Sequence, residues 1–175
     1  MGFIKDKFLA YNASTFKHIL FWVGVFLYFM LTSNMEYYPT GYLPLFYSTC
    51  KIVIPQIMVA YVCMYVLVPN FLNTKKISLF IIWLIVLLIA AYMLYKVMHI
   101  CFYEPEYYKY YSDEAKLYAE KSFWEQTINY PVFLGRSIKF LTPAALLLMA
   151  RFYKNQQKYL KLNEQKKTAE LTALK

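Results

Sequence analysis

The chain has 175 residues, of which 60% are hydrophobic and 17% charged, and it carries a net charge of +9. An average soluble domain holds about 45–50% apolar and about 25% charged residues, so an ordinary soluble domain is excluded. Tyr, Phe and Trp make up 21% of the chain against 4 glycines and 7 prolines, which excludes disorder and collagen-like sequence.

The apolar residues form long blocks rather than stripes, which predicts an all-α membrane protein with four spanning helices. The first span covers 16–35 around ILFWVGVFLYFMLT. Lys5, Lys7 and Lys17 precede that apolar run, but Leu31, Thr32 and Ser33 make a poor cleavage site, so it reads as an uncleaved signal anchor. The second span, 43–68, contains Lys51 and Pro55 and stops at Pro69-Asn70. A short turn, PNFLNTKK, leads to the third span, 77–102, with the core LFIIWLIVLLIAAYMLY. The fourth, 131–153, contains Arg136, Lys139 and Pro143.

Between the third and fourth spans lies YEPEYYKYYSDEAKLYAEKSFWEQTINY. Ser112 suits a helix cap, Asp113 and Glu114 suit the positive end, and Leu117, Lys121, Trp124 and Ile128 recur at helical spacing. This predicts one amphipathic helix over about 112–128. Tyr103, Tyr107, Tyr108, Tyr110 and Tyr111 before it fit either an interfacial aromatic belt or part of a lid over a ligand site.

Lys and Arg outside the spans divide twelve to three. The N-terminus, the short turn and the tail hold the twelve; the long loop holds only Lys109, Lys116 and Lys121. The bias predicts a multi-pass membrane protein with both termini cytoplasmic. Basic charge then faces anionic membrane lipids, and nucleic acid is not needed to explain it.

Four basic residues fall inside spans, where charge is costly. At about 1.5 Å per residue, Lys51, Lys96, Arg136 and Lys139 lie roughly 7–12 Å below the outer boundary. His99 is one turn from Lys96; Tyr92, Lys96, His99 and Tyr103 form one stripe, and Tyr47 and Lys51 another. No acidic residue occurs within a span; Glu36, Glu104 and Glu106 stand at the rim. Two readings remain open. One is a pocket for a small anionic or lipid ligand lined by Lys51, Lys96, His99, Arg136, Lys139, Tyr47 and Tyr92; the other is snorkelling of long side chains to the headgroups.

His99, Cys101, Glu104 and Glu106 cluster without matching a zinc spacing, so no metal site is expected, and His18 reads as interfacial. Cys50 and Cys101 fall near the same membrane face, where a pairing stays open, while Cys63 reads as a core thiol. With two histidines and no GxGxxG, GxxxxGK[ST] or HExxH, the chain offers no catalytic constellation and no cofactor motif.

After residue 153 the composition turns polar. Tyr153, Gln157, Leu160, Glu164, Lys167, Leu171 and Leu174 step by four and three, a weak heptad frame running on from the fourth span. It reads as a cytoplasmic coiled-coil extension over 154–175, or else as a solvated exit helix. The domain division is thus 1–153 and 154–175. The helix pattern has no stop signal at Lys175, so a longer natural chain is expected.

Glu170, Leu171, Leu174 and Lys175 resemble the helix that leads into the phosphoacceptor histidine box of LytS-type sensor histidine kinases. The layout is similar to four-span members common in Bacteroidota, including a turn with Pro69, Leu72, Lys75 and Lys76. It departs from the five-span sensor of the name-giving member, so that branch's ligands do not carry over. The resemblance implies the sensor and signal-transmission module of a two-component histidine kinase. It implies a homodimer, a response regulator as partner of the full-length protein, and ATP with Mg only in the kinase domain beyond Lys175. Pro143, Leu160, Leu171 and Leu174 are the candidate relay residues, with Pro55 a second flex point. The competing readings are an anion transport or channel subunit and a passive dimerisation anchor.

Overall fold

A computed structural model describes residues 2–32 and 42–173, with side chains for 15–32 and 42–172. The side chains of Lys5, Lys7, Glu36, Leu174 and Lys175 lie outside the described residues. The structure is 93% helical, and no strand occurs among the described residues. In chain order the elements are α1 (Gly2–Thr32), α2 (Tyr42–Val62) continuing as a π-helix (Cys63–Leu72), and α3 (Ile77–Met98) continuing as a π turn (His99–Tyr103). Then come α4 (Glu104–Tyr107), a 3-10 turn (Tyr108–Tyr110), α5 (Asp113–Ala119), α6 (Phe123–Thr127) and α7 (Tyr130–Ala173). Four helical stretches, Thr15–Thr32, Tyr42–Leu72, Ile77–Tyr110 and Tyr130–Thr172, are long and apolar enough to cross a membrane.

Helix α2 is central and packs against α1, α3 and α7. The core joins Val59, Ala60, Cys63 and Leu67 to Leu87, Ala91, Tyr92 and Tyr95 of α3 and to Phe140 and Ala144 of α7. Ala60, Ala91 and Ala144 are fully buried, and such small side chains let helix backbones approach closely. The outward face of α3 is apolar as well: Ile81, Ile82, Trp83, Ile85, Val86 and Ile89 are all exposed. A helix apolar on every side needs a protein or hydrocarbon environment all round.

Helix α2 does not stop at Pro69. It runs on to Leu72 in π register and closes with Lys75 N–H donating to the Leu72 carbonyl (3.1 Å) and Lys76 N–H to the Phe71 carbonyl (2.8 Å). Those are the two bonds of a Schellman motif, and Lys75 sits at its left-handed position with φ 60°. Pro69 brings no N–H to the Met64 carbonyl five residues earlier, and Arg151 Nη1 of α7 donates to that oxygen at 2.8 Å. The same repair recurs in α7, which passes Pro143 unbroken. Pro143 withholds a donor from the Lys139 carbonyl, and Gln56 Nε2 of α2 donates to it at 2.8 Å. Gln56 is completely buried.

The predicted single helix over 112–128 is instead two. Ser112 caps α5 as expected, accepting from Ala115 N–H. A second start at Ser122 then breaks the run, because Ser122 and Glu125 form a reciprocal capping box that opens α6. Leu117, Trp124 and Ile128 remain exposed, and Gln126 and Thr127 are buried in their place.

Helix α7 has 44 residues, roughly 66 Å at the standard rise. From 149 to 172 every side chain except half-buried Asn163 is exposed, including Leu160 and Leu171 of the heptad frame.

Candidate functional site: a basic cluster under the 104–129 segment

Near the end of the bundle that carries residues 104–129, three helices converge their basic residues. Lys51 from α2 and Lys96 from α3 are 7% and 3% exposed, and Arg136 from α7 is half-buried. Arg136, Glu104 and Lys96 are all close enough to act electrostatically on Lys51.

The first contact is between Lys51 Nζ and His99 Nδ1, at 3.1 Å. With Lys51 as an ammonium, which can only donate, Nδ1 accepts and the ring's proton sits on Nε2. Nε2 faces Glu104 Oε1 at 3.5 Å. Lysine, imidazole and carboxylate thus form a chain across the α2–α3 boundary. The π turn begins at His99, and the Glu104 N–H closes it on the His99 carbonyl, which places the carboxylate directly after the turn.

The cations also rest on aromatic faces. Lys51 Nζ lies 3.6 Å from the Tyr103 ring centre, the Arg136 guanidinium 4.7 Å from Tyr95, and Lys96 Nζ 5.4 Å from Tyr118. Such contacts contribute about 0.5–2 kcal/mol each, most where water is excluded. Tyr95, His99, Tyr103 and Tyr107, each four residues from the last, form a ladder with ring separations of 6.1, 5.5 and 4.8 Å.

The 104–129 segment is docked over this cluster. Tyr92 O–H donates to the Thr127 carbonyl (3.2 Å) and Tyr118 O–H to the Gln126 carbonyl (2.7 Å). The Gln126 amide closes the loop on the carbonyls of Ala119 (2.9 Å) and Lys121 (3.1 Å). Tyr118 is therefore held in place with its ring beside Lys96.

Three basic side chains face one carboxylate in a largely buried setting. Buried charges are stable only when compensated, and Glu104 is the acidic group that faces these bases. Two buried oxygens on the same helices, Gln56 Oε1 of α2 and Ser137 Oγ of α7, have no hydrogen-bond partner among the described residues. Beside Lys51 a groove of about 250 Å³ opens between Phe46, Tyr47, Met98 and Phe102.

Lys51, Lys96, His99 and Arg136 meet as their common depth suggests. Lys139 does not join them: its side chain is exposed, and only its carbonyl enters the structure, as the acceptor of Gln56. Tyr47 stands at the rim, 46% exposed, with its ring 6.2 Å from Tyr107. Tyr92 is buried and fastens α6, with its ring packed edge-on against Phe133. Pro143, Leu160 and Leu171 lie on α7 away from the cluster.

Sequence reasoning missed the parts of Tyr95, Tyr118 and Gln56, and left Glu104 at the rim. The four-residue spacing of Tyr95, His99, Tyr103 and Tyr107 is the signal that points to the ladder. Of His99, Cys101, Glu104 and Glu106, only His99 and Glu104 come together, and no third His, Cys, Asp or Glu joins them among the described residues. Cys50, Cys63 and Cys101 are free thiols. No protein-family model, curated protein or solved structure matches this chain.

Proposed function

We propose that this chain is the sensor and signal-transmission module of an inner-membrane histidine kinase of the LytS type. The four apolar helices cross the bilayer with both termini in the cytoplasm. The cationic cluster, near the outer face, receives an anionic group.

One observation carries this reading: a single helix both walls the cluster and extends beyond the bundle. α7 contributes Arg136 to the cluster and runs without a break to Ala173, beyond the packed bundle. A ligand that neutralises Lys51, Lys96 and Arg136 changes the balance among α2, α3 and α7. Gln56, five residues beyond Lys51 on α2, passes that change to α7 through the Lys139 carbonyl. The output needs two arrangements of similar energy, one of which the ligand favours. On the cytoplasmic side, Leu160 and Leu171 belong to the seam of a twofold homodimer. The resemblance of Glu170, Leu171, Leu174 and Lys175 to the kinase lead-in supports the kinase assignment. ATP with Mg and a response regulator would engage only the kinase domain.

The test uses the natural full-length protein in inverted membrane vesicles. Autophosphorylation on histidine is expected, with a rate that changes when Lys51, Lys96 or Arg136 is replaced by Met. No phosphorylation in the wild type ends the kinase reading. Anion flux through proteoliposomes that disappears in the same variants supports a transport subunit instead. Unchanged behaviour in every variant leaves a passive anchor.

A further inference from the structure

A second basic site lies far from the first, near the point where α7 leaves the bundle. Lys17 and His18 of α1, Met64 and Tyr65 of α2, and Arg151 and Lys154 of α7 line a cavity of about 350 Å³. Arg151 is fifteen residues beyond Arg136 along α7, roughly 22 Å from the outer cluster.

We propose that this cavity binds a phosphate-bearing anion, the headgroup of an anionic phospholipid or a soluble phosphoanion. Three basic residues, Lys17, Arg151 and Lys154, converge from two helices, and no carboxylate lines the cavity among the described residues. The groups are positioned as well as charged. Arg151 is held by its bond to the Met64 carbonyl at 2.8 Å and by the Tyr65 ring at 5.7 Å, and its remaining N–H donors are still available. His18 Nδ1 lies 3.4 Å from Tyr61 O–H, and that same oxygen accepts from Trp22 Nε1 at 3.3 Å. In the tautomer in which Tyr61 donates to Nδ1, the His18 proton sits on Nε2 as a further donor. Tyr61 stacks on Tyr65, with ring centres 6.0 Å apart, so one aromatic wall backs both His18 and Arg151.

Donors from several directions, one of them a planar guanidinium, suit a tetrahedral phosphate. Leu147, Ala150 and Met64 supply an apolar side against which the first carbons of a lipid chain can lie. Basic pockets between membrane helices on the cytoplasmic side recognise headgroups in this way. A bound anion would tie α1 to α7 just where α7 becomes free of the bundle. The lipid source borrows the membrane placement proposed above and nothing else from that reading, so a failed kinase assay leaves this test unaffected.

The test is native mass spectrometry of the full chain in detergent, titrated with phosphatidylglycerol, phosphatidylcholine and sodium pyrophosphate. The wild type should bind phosphatidylglycerol at least about tenfold more tightly than phosphatidylcholine. Lys17→Gln with Lys154→Gln should remove most of that preference. Lys158→Gln with Lys161→Gln, an equal charge loss further along α7, should change it less than about twofold. Pyrophosphate binding with the same dependence on Lys17 and Lys154, but no lipid preference, assigns a soluble phosphoanion to the site. Equal losses from the two pairs, or no phosphate preference from either source, overturn the proposal. Lys17 and Lys154 are exposed, and circular dichroism checks the helicity of the pair; if the pair fails to fold, Lys154→Gln alone is read against Lys158→Gln by the same criteria.

Discussion

The Gln56 side chain donates to the Lys139 carbonyl at 2.8 Å, and Pro143 is the reason that carbonyl is free. A helix-breaking residue on α7 has become the attachment point of α2.

Replacing Gln56 by Leu leaves the buried carbonyl without a donor and should cost about 1–3 kcal/mol of stability. Pro143→Ala restores an N–H four residues beyond Lys139 and should recover most of that loss. A double-mutant cycle on unfolding in detergent measures the coupling. Strictly additive effects would mean that the bond does not replace the missing donor.

Glu104 is the carboxylate that reaches Lys51 through His99 and acts electrostatically on Lys96. Glu104→Gln should destabilise the protein by about 3 kcal/mol, the usual cost of stranding one member of a buried pair. Lys51→Met in the same chain should return part of it. A Glu104→Gln protein as stable as wild type would show that the cluster is compensated elsewhere.

The turn after α2 tests a backbone argument. Lys75 holds φ 60° in the Schellman motif, a conformation most strained for β-branched residues. Lys75→Val should cost about 1 kcal/mol or more, and Lys75→Gly should cost nothing or stabilise. Melting temperatures of the two variants in one detergent decide it.

The loop cap should respond to acid. Hydrogen bonds from the Ser122 hydroxyl and the Ser122 N–H hold the Glu125 carboxyl below the ordinary glutamate value of 4.5. A carboxyl lowered in the folded state contributes stability above its unfolded pKa and loses it as pH falls through its folded pKa. Amide exchange over 123–126 should therefore accelerate as pH drops below about 4.5, once corrected for intrinsic rates. Glu125→Gln should remove that extra dependence; an identical profile in the variant counts against the capping box.

Sequence made some of this legible and hid the rest for physical reasons. The long apolar blocks mark four helices able to span, and the fixed helical rise brings Lys51, Lys96 and Arg136 to one level. Depth carries no information about direction around the axis, however. Arg136 and Lys139 are three residues apart, yet one reaches Tyr95 and the other is exposed. Pro69 read as a stop because the α pattern cannot absorb a proline at that position; the π register can, with Arg151 completing the bonding. The break at Ser122 was encoded by its Ser-x-x-Glu spacing, but the apolar stripe through Leu117, Trp124 and Ile128 outweighed it. Gln56 could not be found from one helix alone, since its partner is 83 residues away.

The two π segments have a geometric consequence. Each holds its residues in a looser coil than the α-helices before it, so tightening either one to α pitch would swing whatever follows, by about 100° for every residue of slip. For the stretch beginning at His99, the side chains carried round are Tyr103, Glu104 and Tyr107. Lys51, which rests on the Tyr103 ring, would lose that aromatic seat on such a rewinding.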